Sequence, residues 1–386
     1  MFRRGYAHVS IGTLLAAVGM VRVAASCAEN APSSDSFDAG PAPDTAVSVP
    51  PQPVCEAGTW CRVELPTTSP VSFNGIWGSG PDDVWIVGGP GSTLHWDGAK
   101  LSFSAIETHQ SLSGVWGSGK DDVWAFATDR SVWHTRGYNG EDAGWSRSSE
   151  MTDAASASGN PTPILAMWGA SASDVWAVGP SMTQGRLSLP SVLHCDGWHD
   201  GVLRWQTSTT SFGDDAGAIT PVSFNAICGG TSSGIWIVGE GGKTRYTSGW
   251  RGDHASWTPI NSQTSRALYA VFCGPDGVVW AAGEGGTMAR FTRALGGDYA
   301  AEAVTTPTTA SLRALWGTAA DDVWAVGDAG TLLHWDGKEW KSGSEQLGGA
   351  KDDLFAIWGA SKNDLWIAGR NILFHNSNAQ SPGGSR

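Results

Sequence analysis

The chain has 386 residues, of which 41% are hydrophobic and only 16% charged, so it carries ample apolar material for a large core. Its net charge of −13 offers no field to draw in phosphate backbones, and nucleic acid is not expected as a partner. Gly (52) and Trp (22) are both far above ordinary usage. Glycines punctuating short runs of β-branched and aromatic residues, with no long helical stripe, predict an all-β protein with tight turns.

Residues 1–26 read as a signal peptide. Arg3 and Arg4 form a basic start, and Val9 to Val21 is an apolar run too short to span a bilayer stably, followed by Arg22. Ala24-Ala25-Ser26-Cys27 resembles a bacterial lipobox, in which Cys27 would take the lipid and become the mature N-terminus. Ordinary cleavage near Ser26 or Ala28 would instead leave a secreted protein. Either route takes the chain out of the cytoplasm, with a membrane touched only through an N-terminal lipid anchor. Residues 27–54 are rich in Pro, Ser, Ala and Asp and lack the apolar content to pack, so they are expected to be a disordered tether.

Self-similarity dominates residues 55–376. Phe73 to Gly98 reads FNGIWGSGPDDVWIVGGPGSTLHWDG, and Leu312 to Gly337 reads LRALWGTAADDVWAVGDAGTLLHWDG. One tryptophan recurs seven times, as Trp85, Trp124, Trp176, Trp236, Trp280, Trp324 and Trp366, at intervals of 39, 52, 60, 44, 44 and 42 residues. Eight residues before each lie Trp77, Trp116, Trp168, Cys228, Phe272, Trp316 and Trp358. Every unit parses into short strands: A ending in Ile-Trp-Gly, B as Val-Trp-Ile-Val-Gly, C as Thr-Leu-Leu-His-Trp, and D near a later Trp, as at Trp257 or Trp340. Four antiparallel strands repeated every 40–45 residues, roughly, make a propeller blade. The seventh unit ends at Phe374-His375-Asn376 without a fourth strand, while residues 58–66 form an orphan strand before the first unit. A seven-bladed β-propeller closed by its N-terminal strand follows, with residues 377–386 as a disordered tail.

The repeat resembles the Trp- and Gly-rich propeller repeats of secreted proteins and lipoproteins of the myxobacterial type. It is more loosely similar to BNR, two-component-regulator and photosystem-assembly-factor propellers. The resemblance covers residues 58–376 and implies the fold far more than a function. Trp96-Asp97 and Trp335-Asp336 occur, but the Gly-His partner of a WD40 repeat and the Ser-x-Asp-x-Gly-x-Thr-Trp box of BNR sialidases do not.

Periodic tryptophans read as inter-blade core, each hiding roughly 4–6 kcal/mol of transfer free energy. Trp198, Trp205 and Trp250 fall off the strict repeat and are candidates for exposure. His95, His134, His194, His334 and His375 share one repeat position, replaced by Tyr246 and Arg290 in blades four and five. Spread around a ring, they cannot converge on a metal and read as structural. Asp83, Asp122, Asp174, Asp322 and Asp364 precede strand B and read as turn caps. Glu240, Glu284 and Asp328 follow strand B in successive blades and read as turn residues, with an acidic patch or weak calcium site as the alternative. Outside the cytoplasm, Cys55 with Cys61 and Cys228 with Cys273 are candidate disulfides, whereas Cys195 reads as a buried free thiol.

No nucleophile elbow, phosphate loop or zinc-helix motif is present, so no catalytic residue, metal or cofactor is assigned. Alternating strand direction puts the D–A and B–C connections on one face. The longest irregular stretches, 149–163, 180–190 and 207–223, all fall there, over blades two to four. Ligand-binding candidates on that face are Asp153, Gln184, Arg186, Asp214 and Asp215. The expected function is a monomeric, non-catalytic binding or scaffold module at the cell envelope, with a protein or polysaccharide as partner. The rivals are a propeller glycoside hydrolase or lyase and a structural envelope lipoprotein without a specific ligand.

Overall fold

The computed structural model describes residues 58–377, except 67–68, 105, 141–142, 149–162, 181–182, 185–186, 189–191, 200–201, 209–221, 253 and 295. For 183–184, 187–188, 198–199 and 202–204 it describes the backbone alone. All of these lie in the unit Val49–Arg386.

Seven four-stranded antiparallel sheets form there, with consecutive strands hydrogen-bonded in the order A, B, C, D. Blade one consists of Phe73–Gly80, Asp83–Gly88, Thr93–Trp96 and Leu101–Phe103. The A strands of the next five blades are Leu112–Gly119, Ala166–Ser171, Phe224–Gly230, Leu268–Cys273 and Leu312–Ala319. Blade seven takes Leu354–Ser361, Asp364–Gly369 and Ile372–Ser377, and is completed by Trp60–Arg62. Trp60 stands opposite Asn376 and Arg62 opposite Phe374, so the N-terminal strand closes the ring as the orphan segment implied. Closure pairs a strand edge that would otherwise be open. Contacts between successive A strands run in an unbroken circle, which puts strand A at the central axis.

Packing between blades follows two repeating rules. The first concerns the strand B tryptophans, six of which (Trp85, Trp124, Trp176, Trp236, Trp280 and Trp366) are fully buried. At several junctions an aromatic in or just before the D strand of the following blade meets this position edge-on. Trp145 meets Trp85 at 5.3 Å and 82°, Tyr299 meets Trp236 at 4.6 Å and 88°, and Trp340 meets Trp280 at 5.4 Å and 89°. Trp60 plays the same part toward Trp324, at 6.0 Å and 76°. These are favourable T-shaped contacts, each adding about 0.5–1.5 kcal/mol to the area buried.

The second rule explains the Trp-Gly dipeptide at the end of strand A. A Cβ placed on Gly117 would lie 2.5 Å from the Trp77 ring, and one on Gly78 2.7 Å from the Trp358 ring. Gly169 stands in the same relation to Trp116, Gly229 to Trp168, Gly317 to Phe272 and Gly359 to Trp316. Each strand A ring therefore fills a notch that only glycine leaves open on the next blade. The junction between blades four and five departs from this. There Cys228 stands in the aromatic position and Cys273 in the glycine position, and the two form a disulfide with a Cα–Cα distance of 5.7 Å. A covalent link thus replaces ring and notch together.

Strand D of blade four, Thr258–Asn261, starts beside Trp257 as the sequence implied, but several other details differ from the expectations. The connection over 180–190 contains a short hairpin pairing Thr183–Gln184 with Leu187–Ser188. A second small hairpin, Trp250–Arg251 with His254–Ala255, is inserted in blade four. It lays Trp250 flat on His194 of blade three, at 4.3 Å and 16°. Trp205 is buried at 4% exposure, because it fills the same D-strand slot as Trp340. Off-period spacing therefore marked loop insertions rather than exposure. The side chain of Trp198 lies outside the described residues.

Two predictions follow from the ring of notches. Gly117→Ala drives a methyl against the Trp77 ring and the Asp122 carbonyl, and should lower the unfolding free energy by about 1–3 kcal/mol. Gly119→Ala meets open space and should stay within about 0.5 kcal/mol of the parent. Equal losses in chemical denaturation would refute the notch. Separately, Cys228→Ser with Cys273→Ser should cost about 2–4 kcal/mol, whereas Cys228→Trp with Cys273→Gly should restore most of that and remove the part of the reductant sensitivity that this bond confers.

Candidate functional site

Among the described residues, the side chains that look most like catalytic machinery belong to the repeat. In five blades the strand C histidine holds the aspartate that begins strand B. The Nε2–Oδ1 distances are 2.7 Å for His95–Asp83, 2.8 Å for His134–Asp122, 2.9 Å for His194–Asp174, 2.8 Å for His334–Asp322 and 2.9 Å for His375–Asp364. A hydroxyl from strand A donates to the other carboxylate oxygen, from Ser79, Ser118 and Thr318 at 2.6, 2.5 and 2.5 Å. The strand B indole joins the same carboxylate, as Trp124 Nε1 to Asp122 and Trp176 Nε1 to Asp174, both at 2.8 Å. In blades one, two and six the aspartate thus ties strands A, B and C together, and in blades three and seven it ties B to C. This corrects the reading of them as turn caps, which missed a partner 11, 12 or 20 residues further along.

A serine, an aspartate and a histidine in contact suggest a triad, but the order is wrong for nucleophile activation. The hydroxyl meets the carboxylate and not the imidazole, so no base is placed to take its proton. The imidazoles are also covered. Tyr138 of blade two stacks on His95 at 4.3 Å, and Trp366 and Trp324 stack on His375 and His334 at 3.9 and 4.0 Å. Nδ1 of His95 and of His194 is buried with no partner. Because an ionised carboxylate only accepts, Nε2 carries the proton and Nδ1 loses only an acceptor's hydration. Blades four and five lack both members at once. Gly234 faces Tyr246, Val278 precedes Arg290, and Arg290 lies 5.5 Å over the Trp280 ring instead.

The residues that do not repeat collect on the D–A and B–C face. In six blades the register of strand A slips at its second residue, a β-bulge at Asn74, Ser113, Asn225, Tyr269, Arg313 and Phe355. A bulge re-aims a side chain without breaking the sheet. Asn74 and Asn225 donate to the Leu112 and Leu268 carbonyls of the next blade, at 2.8 and 2.9 Å. Arg313 makes a two-pronged ion pair with Asp328, at 2.7 and 2.8 Å, and lies 4.8 Å over the Tyr269 ring. Hydrogen bonding to Asp328 holds the Arg313 guanidinium above its ordinary pKa. Burial pushes the Tyr269 hydroxyl up, Arg313 opposes it, and Glu284, Glu240 and Asp328 add to the rise.

Glu240, Glu284 and Asp328 begin successive one-turn 3-10 segments after strand B. They are spent separately: Glu240 accepts from Asn225 at 3.2 Å, Glu284 from the Ala267 amide at 3.4 Å, and Asp328 from Arg313. They form no common cation cage, and among the described residues no group of three metal-ligating side chains converges. On the same face, a cleft of about 660 Å³ opens between the connection 106–110 and the outer strands of blade two.

Asp153, Arg186, Asp214, Asp215, Cys27 and Cys55 lie outside the described residues. Gln184 sits on the short hairpin of blade three, and only its backbone is described. Cys61 is in a disulfide, and Cys195 is a buried free thiol whose sulfur faces the Gly197 carbonyl at 3.6 Å. Tyr269, Arg313 and the cleft escaped the sequence reading. The signal lay in a column three residues before the strand A aromatic, where composition changes from blade to blade while its neighbours do not.

The molecule is therefore a seven-bladed β-propeller whose repeated polar residues serve the blades and whose unrepeated ones gather on one face. No protein-family model matches the chain, and no curated protein matches it in sequence. Solved structures share the fold. YCF48 bound to a D1 peptide is 18% identical with a TM-score of 0.60, covering 84% of this chain and 99% of that one. YCF48 from Cyanidioschyzon merolae is 18% identical with a TM-score of 0.61, covering 83% and 98%. The extracellular domain of the one-component system BT4673 from B. thetaiotaomicron is 11% identical with a TM-score of 0.60, covering 86% of this chain and 44% of that one. At such identities the likeness establishes the fold.

The half-buried carboxylates set an acid limit on stability. For Asp83 and Asp122 burial alone would raise the pKa, but hydrogen bonds from the histidine, the strand A serine and the indole outweigh it and hold both below the ordinary value. Asp174 is lowered chiefly by His194. A depressed folded pKa contributes stability above the unfolded value, and that contribution is lost as pH falls through the folded one. The melting temperature should accordingly drop as pH falls below about 4. Asp122→Asn should lower it near neutrality and by progressively less as pH falls through the folded pKa of Asp122; an equal loss at every pH would sink the argument.

Proposed function

We propose that this chain is an exported β-propeller of the cell envelope, acting as a non-catalytic binding or scaffold module for a protein or polysaccharide partner. The partner docks on the D–A and B–C face. The observation that carries this is the bulge column of strand A. Its backbone geometry recurs in six blades, but its side chains run Asn74, Ser113, Asn225, Tyr269, Arg313 and Phe355. Asn74 and Asn225 still serve the fold by bonding to the next blade, whereas the column otherwise keeps its place while changing its chemistry, which releases those positions from the repeat. Long connections on a rigid scaffold are where recognition residues usually sit. Asp153, Gln184, Arg186, Asp214 and Asp215 are proposed contributors from those connections.

Export is supported by chemistry. Cys61 and the Cys228–Cys273 pair are in disulfides, which persist outside the reducing cytoplasm. Lipidation of Cys27 belongs to the same proposal, with the Pro- and Ser-rich stretch after it holding the propeller clear of the membrane. Propellers of this fold include one taken with a bound peptide and one that is an extracellular domain, which is consistent with recognition at a surface.

The test immobilises residues 52–386, captures partners from a cell-envelope extract, and identifies proteins and glycans by mass spectrometry. Capture should fall at least about tenfold with Tyr269→Ala and Arg313→Ala, and with deletion of 181–189. It should be unchanged by Lys338→Ala and Glu339→Ala, which lie in a C–D turn of the opposite face. Equal capture by all variants would remove the face assignment.

A further inference from the structure

We infer that the cleft of blades one and two is a binding site for a short neutral oligosaccharide. The inference deepens the reading of the D–A and B–C face as the binding face, and rests on it. One wall is the connection from strand D of blade one to strand A of blade two. Its backbone is held in place from both sides: the Ile106 amide donates to the Gly91 carbonyl and the Gly91 amide to the Gln110 carbonyl, both at 3.0 Å. Ile106 is itself buried at 4% exposure and roots the wall in the core between the blades. The opposite wall is the B–C turn and strand D of blade two, where Asp129 accepts from the Ser131 amide at 2.9 Å and Arg147 donates to the Ser131 hydroxyl at 2.9 Å. The cleft is therefore formed before any ligand arrives, which spares a ligand the cost of ordering it.

Size, chemistry and charge narrow the occupant. The volume of about 660 Å³ lies inside the usual range of small-molecule sites, about 300–1,000 Å³. Strand D of blade two is only Ser146–Arg147, and Trp145 just before it is half-buried in the cleft wall, whereas its fellows Trp205 and Trp340 are covered at 4% and 5% exposure. Among the described residues the Trp145 Nε1 has no partner. The same cleft is lined by Glu107, His109, Gln110, Asp129 and Arg147. A sugar offers apolar C–H surface for an indole, and a rim of hydroxyls that both donate and accept. Carboxylates, an amide and a guanidinium complement such a rim. The two carboxylates oppose a polyanion, Arg147 opposes a polycation, and the near balance favours an uncharged ligand.

The experiment titrates the purified chain, residues 52–386, with neutral gluco-, manno-, xylo- and chito-oligosaccharides by isothermal calorimetry. Glu107→Ala with Gln110→Ala is the test variant, since both side chains are exposed and leave the core untouched. The expected result is saturable binding of at least one series, weakened about tenfold or more in the double variant at an unchanged melting temperature. Two results overturn the inference: no neutral series binds, or binding survives the double variant intact. Either leaves the face assignment standing or falling on the Tyr269 and Arg313 variants alone, which do not touch the cleft.

Discussion

The seating of each strand A ring in a glycine notch of the next blade is the contact on which the rest of the propeller depends. Six junctions use an aromatic on glycine and the seventh a disulfide, so the circle around the axis has no gap. It sets how closely successive A strands approach, and thereby where every B, C and D strand falls. A β-sheet has no intrinsic way to count neighbours, and blades must be held at a fixed angle to close a ring. Here a bulky ring and an absent Cβ supply that angle. The exchange of both partners for cysteine at one junction shows that the two positions act as a unit.

The second layer of organisation is electrostatic and lies further out. Each aspartate–histidine pair fastens strands B and C of one blade, three of the five also hold strand A, and the imidazole is roofed by aromatic rings from its own blade or from the next one. Imidazole, carboxylate and hydroxyl are the materials of hydrolytic sites. Here their order and their burial turn them into rivets. A polar network of this kind is stable only when its strong groups are satisfied, which is why blades four and five lose both partners together and fall back on Tyr246 and on Arg290 over an indole. Function is thereby displaced to positions exempt from the repeat, among them the bulge column, the outer cleft and the extra hairpin of blade three.

What the sequence by itself determined is the architecture. Seven equally built units, an invariant spacing of eight between two aromatic columns, and an orphan strand ahead of the first unit specify a closed seven-bladed ring, because strand periodicity and unit length are local properties. Hydrophobic spacing also marked Trp85, Trp176 and their equivalents as core. Tertiary structure alone decided which groups meet. The aspartates read as turn caps because the histidine partner lies a strand away. Trp205 and Trp250 read as exposed because their spacing was broken, whereas insertion of a hairpin only carried Trp250 onto a neighbouring blade. The Trp77 ring meets Gly117, 40 residues on, for a reason no linear pattern contains: contact across a blade junction depends on ring closure, and closure is a property of the whole circle. The same holds for the face where Arg313 lies over Tyr269: the sequence shows a variable column there, but the β-bulge that re-aims it is set by register between strands.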